Sequence, residues 1–429
     1  MKYITLLVAA LCLPSALAYA QQTDDFMVSA QIRPRTEYRQ GALMPRDENT
    51  SAAFFTTNRA RLSMEYGSPL LRMKFSSQYV GVWGQDPQID KNGRVAMNEA
   101  WARLGSGEGF FAQLGRQTLS YDDERLLGGL DWNVAGRHHD ALKLGYQSLG
   151  HKIHLILAFN QNEERVSGGT YYDMSIAQPY KTMQTLWYHF KTDSAPFEAS
   201  LLFMNLGRET GTKEKNRISH MQTAGTYLIY SPGRWNFTGA FYAQTGTRKE
   251  DAASAGSAKV LAYMWSVVAT HRIGRSWTLT AGSDYLSGDG GDTDRYTAFD
   301  PLYGTHHKFY GAMDYFYASA WKAGSPGLWD NRLGVSYNAS PKVALQAHYH
   351  YFRTARDPQL KKKPGKSLGS EIDTQMDWTI MKDVKLSLGY SFMLGTETMD
   401  AVKGGDHKCW QGWGWVSVNI NPVIFSAKR

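Results

Sequence analysis

Apolar and polar residues alternate one for one in run after run along this chain. Val28, Ala30, Ile32, Pro34, Thr36 and Tyr38 are interleaved with Ser29, Gln31, Arg33, Arg35, Glu37 and Arg39. Leu71, Met73, Phe75, Ser77 and Tyr79 are interleaved with Arg72, Lys74, Ser76 and Gln78. Val384, Leu386, Leu388, Tyr390 and Phe392 repeat the pattern near the other end. A period of two places one set of side chains on each face of a β-strand. The runs are about 10 residues or longer, whereas strands of soluble sheets usually have about 5–6. A strand tilted across a bilayer needs about 9–11. Aromatic residues (Tyr38, Tyr66, Tyr79, Trp378, Phe392) stand at the ends of the apolar faces, as in the girdles of outer-membrane barrels.

The connections alternate as well. Short turns such as Gly67-Ser68-Pro69 and Gly274-Arg275-Ser276 are followed by long polar stretches near 84–94, 118–138, 161–181, 288–326 and 395–409. Short periplasmic turns and long outer loops are the bacterial barrel pattern. Topology then fixes the strand number. The run Phe309–Trp321 looks like a further strand, but the strand ending near Leu286 runs outward. The strand at Leu328–Tyr337 must run inward to the tight turn at Asn338–Pro341. The run therefore belongs in a loop, with room for a short helix. About eighteen antiparallel strands remain, in an all-β transmembrane barrel whose last strand is expected at Trp410–Ile420.

Residues 1–20 read as a secretory signal peptide, with Lys2, an apolar stretch Ile4–Leu13 and a small-x-small site at Ala18-Tyr19-Ala20. Residues 21–429 form a single barrel domain. Cys12 lies in the signal, so Cys409 alone remains and no internal disulfide is possible. The net charge of +8 allows an acidic partner without requiring one.

Several pieces, in order, resemble the alginate-export porins of Gram-negative outer membranes. They are Asn58-Arg59-Ala60-Arg61-Leu62, Glu99-Ala100-Trp101-Ala102, and Gly115-Arg116-Gln117 with Tyr121, Glu124-Arg125, Asp131-Trp132, Gly136-Arg137 and Asp140. Ser287-Gly288-Asp289 with Phe299–Gly304 and Asp314, and then Gly369–Asp373, complete the set. The resemblance implies an eighteen-stranded barrel with an arginine-lined pore, narrowed by inward-folded loops and passing an acidic polysaccharide. The chain departs from the barrel habit of ending on an aromatic residue, since it closes Phe425-Ser426-Ala427-Lys428-Arg429.

A carboxylate entering a bare lumen loses hydration, so an anion path needs cations, and the planar fork of Arg matches carboxylate geometry. Several weak sites in series let cargo leave as well as enter. The expected path is Arg33, Arg35, Arg59, Arg61, Arg103, Arg116, Arg125, Arg137 and Lys143. Glu37, Glu65, Glu99, Asp123, Glu124, Asp131 and Asp140 are the expected counter-charges. The competing reading is that these groups simply pair to stabilise the lumen. Residues 118–138 are expected to fold inward as the constriction.

Catalysis is not expected, because neighbouring loop carboxylates such as Asp122-Asp123-Glu124 do not set the separation that glycoside cleavage needs. The His138-His139 and His306-His307 pairs read as loop or girdle residues. Asp289, Asp292 and Asp294 have calcium-loop spacing but lack the final Glu of an EF-hand. No cofactor and no nucleic acid is expected. The partners are outer-membrane lipid and an anionic solute, crossing a monomer. The alternatives are a porin for small anionic or aromatic nutrients, or a barrel that only anchors an enzyme or adhesin.

Overall fold

Twenty strands surround a lumen in the computed structural model, which describes residues 24–89, 94–249, 257–291, 294–317, 320–322, 324–358, 360 and 365–428. In chain order they are β1 (Asp25–Gln40), β2 (Ala53–Gly67), β3 (Leu71–Val82), β4 (Val95–Gly105), β5 (Gly109–Gln117), β6 (His139–Ser148) and β7 (His151–Phe159). There follow β8 (Thr182–Lys191), β9 (Phe197–Glu209), β10 (Ile218–Tyr230), β11 (Trp235–Lys249), β12 (Ser257–Ile273), β13 (Trp277–Leu286) and the short β14 (Arg295–Tyr296). The wall is completed by β15 (Leu328–Ser340), β16 (Val343–Arg353), β17 (Ser367–Met381), β18 (Val384–Gly395), β19 (Gln411–Ile420) and β20 (Val423–Lys428). One helix, α1 (Glu397–Lys403), lies in the loop before β19 and is capped by Thr396. The signal-peptide reading falls on residues outside those described.

Consecutive wall strands pair antiparallel, and β1 closes the cylinder on the chain's other end. Tyr38 faces Gly414 and Asp25 faces Lys428. Because β19 and β20 pair with successive parts of β1, they are two halves of one wall strand broken at 421–422. The wall therefore has eighteen strands. The last strand runs past Ile420 to Lys428, further than its apolar alternation suggests. β14 stands apart, pairing parallel with β12 at Lys259 and Val260.

The run 309–321 forms no strand among its described residues, as parity requires. Only a 3-10 turn precedes it, at His306–Lys308. From this run Phe309, Tyr310, Met313, Tyr315 and Phe316 are buried. Leu119, Leu126 and Leu127 of the 118–138 loop join them in one apolar cluster. On the outer face the pattern is inverted: Phe54 is 73% and Phe110 72% exposed, set for hydrocarbon rather than water. The apolar core thus lies in the lumen, where two outer loops pack on inward-facing wall residues such as Met183, Leu202, Met204 and Met264. Each fully buried Leu or Phe there stabilises the plug by roughly 1.5–3 kcal/mol.

Candidate functional site

The 118–138 loop crosses the lumen and touches both walls. On one side Asp131 accepts from Arg33 (3.0 Å) and Arg59 (2.8 Å), side chains of β1 and β2. Arg35 donates to the Trp132 carbonyl (2.8 Å) and lays its guanidinium over the indole at 4.1 Å. Gln78 of β3 donates to the Ala135 carbonyl (2.7 Å). On the other side Asp122 accepts from Trp187 Nε1 (3.0 Å) on β8 and Ser200 Oγ (2.6 Å) on β9. Arg125 reaches β12 and β13, donating to Ser266 Oγ (2.8 Å) and Asp284 (2.9 Å) while also holding Asp123 (2.6 Å).

Three non-glycine residues of the loop (Asp122, Glu124 and Leu130) adopt positive φ, a region disfavoured for L side chains. Such backbone persists where its surroundings over-determine it, and here both ends of the loop are clamped. The 287–327 loop supplies a second crossing. Gly128 N donates to the Tyr303 carbonyl (2.9 Å), Tyr303 N to Leu126 (3.0 Å) and Thr305 N to Glu124 (2.8 Å). Arg137 donates to the carbonyls of Tyr303 and Gly304. His307 stacks on Trp132 at 4.0 Å between centroids. Met313 N donates to Glu371 (2.8 Å) on β17, so this loop too is pinned to the far wall.

The cations of the expected path occupy four different settings. Arg33, Arg35 and Arg61 lie on lumen-facing positions of β1 and β2. Arg35 and Arg39 share Glu37, and Arg61 donates to Gln78 (2.9 Å). Arg59 is 1% exposed, sealed beneath Asp131. Arg125 is 3% exposed and Arg137 is spent on backbone carbonyls, so both hold the loop rather than border open water. Burial disfavours the charged Arg125 guanidinium, but Asp284 and Asp123 outweigh it and hold its pKa well above the ordinary value. Asp131 is open to lumenal water yet ringed by protein. Desolvation opposes its charge, and Arg59 and Arg33 win, holding the carboxyl below its usual range.

Arg116 and Asp140 require a correction. They pair with each other at 2.9 Å, but on the outward face shared with Phe110, Leu114 and Leu142. Strand alternation, carried through β5 and β6, excludes them from the lumen. Arg103 and Lys143 do face the lumen. Among the other counter-charges, Glu65 and Glu99 both hold Lys74 (3.3 and 2.9 Å), and Glu124 accepts from Ser120 (2.6 Å). Asp122, Asp123 and Glu124 thus turn to three separate sets of partners.

Asp289 caps its own loop through Thr297 N (3.1 Å), and Asp292 lies outside the described residues. Metal-type spacing occurs instead at Asp400, Asp406 and His407, in the outer loop that contains α1. Residues missed at the sequence level include Trp413 and Trp415, whose rings meet Trp132 edge-on. Arg72 and Lys152 were missed too, although the alternation that marks Lys74 also marks Arg72.

Residues 30–404 match the alginate export family. The chain belongs to the alginate export family. Solved structures share its wall. Pseudomonas aeruginosa OccK2 in complex with glucuronate superposes with a TM-score of 0.61 at 13% identity, over 93% of this chain and 98% of that one. Pseudomonas aeruginosa OpdO gives 0.62 at 12% identity, over 94% and 98%. Acinetobacter baumannii OccAB4 gives 0.61 at 13%, over 94% and 99%. No curated protein matches the sequence. At these identities the likeness is one of fold. Family membership and porin architecture together make this alginate-export-family barrel an outer-membrane channel, with its lumen as the path for solute.

Proposed function

We propose that the channel passes an anionic solute passively and by electrostatic selection, best an acidic oligo- or polysaccharide such as alginate. One observation carries the reading. Cations that face the lumen on β1–β4 and β6 outnumber the carboxylates placed to neutralise them. Arg33, Arg35, Arg39, Arg59, Arg61, Arg72, Lys74, Arg103 and Lys143 face it, and the carboxylates on the same faces are Asp25, Glu37, Glu65 and Glu99, with Asp131 brought in by the crossing loop. A paired Arg still contributes field, and mixed signs keep each station weak enough for cargo to leave. The complex of OccK2 with glucuronate gives a comparable barrel holding a uronate. Export from a cleaved precursor into the outer membrane, as a monomer, completes the reading.

The test is the reversal potential in planar bilayers under a KCl gradient. Anion preference is expected, reduced in Arg35→Ala/Arg61→Ala. Cation preference would refute the reading. Deleting residues 122–130 is expected to raise conductance and weaken selectivity, because that segment spans the lumen.

A second reading, uptake of small organic anions, is favoured by the narrowness of the remaining space. Beside the crossing loops, the void lined by Trp132, His307, His348, His350, Asp373 and Trp415 has a volume of about 490 Å³. Permeation of glucuronate with exclusion of a uronate oligomer would support this second reading over the first.

A further inference from the structure

The lumen cations fall into two classes, and the difference points to a binding site. On β1 and β2 the arginines are engaged by carboxylates, Gln78 or the crossing loop. Across the next strands a row runs at one height: Arg72 faces Arg103, Arg103 faces Gln113, and Gln113 faces Lys143. Among the described residues none of these three cations has a carboxylate partner. Like charges placed directly opposite are destabilising in a sheet, and no carboxylate among the described residues pairs with Arg72 or Arg103.

A cavity of about 240 Å³ opens beside this row, below the first turn of the 118–138 loop. Arg103, Lys143, Lys152, His154, Tyr121 and Trp187 border it. The Arg103 guanidinium is braced on the Phe111 ring at 3.6 Å, and its Nη2 is buried without an acceptor. His154 accepts or donates at Nδ1 with Tyr121 OH (3.0 Å), which leaves its buried Nε2 without a partner. Asp122 also borders the cavity, but its oxygens are taken by Trp187, Ser200 and Tyr242. Glu99, the nearest wall carboxylate, is engaged by Lys74 (2.9 Å) and Trp101 (3.2 Å). An anion would supply the acceptor that the Arg103 fork lacks, and His154 Nε2 can donate to it in the tautomer that accepts from Tyr121. The edge-on Tyr121 and Trp187 rings, 4.9 Å apart, give it an aromatic wall of the kind sugar rings pack against.

We infer that this cavity binds the carboxylate of a saccharide acid, on the short-turn side of the constriction and apart from the carboxylate-paired arginines. Arg103 stands three residues before the turn 106–108 and Lys152 two residues after the turn at 149–150, while Lys143 lies further along β6. By the barrel rule that end is periplasmic. Arg103 supplies the planar fork, and Lys143 and Lys152 supply point charges from the opposite side. The inference rests on the channel reading, since solute reaches the cavity only through the lumen.

The experiment uses the purified full-length barrel, with sodium glucuronate and neutral glucose as probes. Isothermal titration is expected to show glucuronate binding and no glucose binding. Lys143→Gln/Lys152→Gln is expected to weaken glucuronate by roughly tenfold for each cation removed, the scale of a charge-assisted hydrogen bond. Arg103→Lys should lose the fork while retaining charge, and fall between the wild type and Arg103→Gln. In oriented bilayers, glucuronate added on the short-turn side should interrupt the current more often than when added on the loop side. Equal binding by wild type and the double variant, with conducting steps preserved, overturns the site and leaves the channel reading intact. Absence of anion preference in KCl alone would instead overturn the anion-selective reading of the channel. Equal binding of glucose and glucuronate would overturn the assignment of the carboxylate.

Discussion

Arg125→Met tests whether the crossing loop is held by one buried charge. The substitution keeps an unbranched side chain against Phe309, whose ring lies 4.1 Å from the guanidinium, but removes the bonds to Asp123, Asp284 and Ser266. Breaking a buried ion pair from one side costs about 3–5 kcal/mol, because the partner is left charged and desolvated. Asp284 is 0% exposed but retains Arg332, so the lower end applies, about 3 kcal/mol. The anchor joins the loop to β12 and β13, which already pair with each other along their length. The loss therefore falls on loop docking rather than on the barrel. At 1.4 kcal/mol per decade, the undocked population should rise about a hundredfold. Single-channel recording should show correspondingly more frequent excursions to a higher conductance level. Adding Asp284→Asn removes the stranded carboxylate and should recover part of the loss. If the excursion frequency of Arg125→Met stays within about twofold of the wild type, Arg125 is not the anchor and the reasoning fails.

Three further outcomes follow from the same geometry. Trp132→Ala removes the stack on His307 and the contact with Arg35, and should raise single-channel conductance while leaving the barrel's thermal unfolding unchanged. Gly304→Ala places a methyl group 2.2 Å from the Arg125 carbonyl oxygen, so the two crossing loops must part. Overpacking of this kind costs about 1–3 kcal/mol, and limited proteolysis from the loop side should accelerate. The Asp131 carboxyl is held below its ordinary value of about 3.9. A depressed carboxyl contributes its attachment above that value and loses it as the pH falls through the depressed one. Conductance should therefore show no Asp131-dependent change from neutral pH to about 4, and a step only in stronger acid, absent in Asp131→Asn. A step between pH 5 and 7 that disappears in Asp131→Asn would contradict the assignment.

Much of the wall was legible in the sequence because a strand's two faces are written two residues apart. Arg33, Arg35, Arg61, Arg103 and Lys143 were placed on the lumen by that rule alone, and parity of turns excluded 309–321 from the wall. At the end of β5 the same rule turns against the expected path. Leu114 faces outward, so Arg116 does as well, and it meets Asp140 there. Arg72 and Lys152 were equally readable.

What the linear order could not show is which distant residue completes each group. Arg125 meets Asp284 across 159 positions, Asp131 meets Arg59 across 72, and Tyr303 bridges Leu127 from another loop. Alternation is a local property of the backbone and survives any arrangement of neighbours. Pairing, desolvation and left-handed loop conformations depend on what the closed barrel brings alongside. The sequence by itself determined a membrane cylinder of about eighteen strands with arginines and carboxylates alternating onto its inner face. Only the tertiary structure separated the arginines that fasten the crossing loops from the cations without a carboxylate partner among the described residues, because closing the wall decides which charges find a counter-charge.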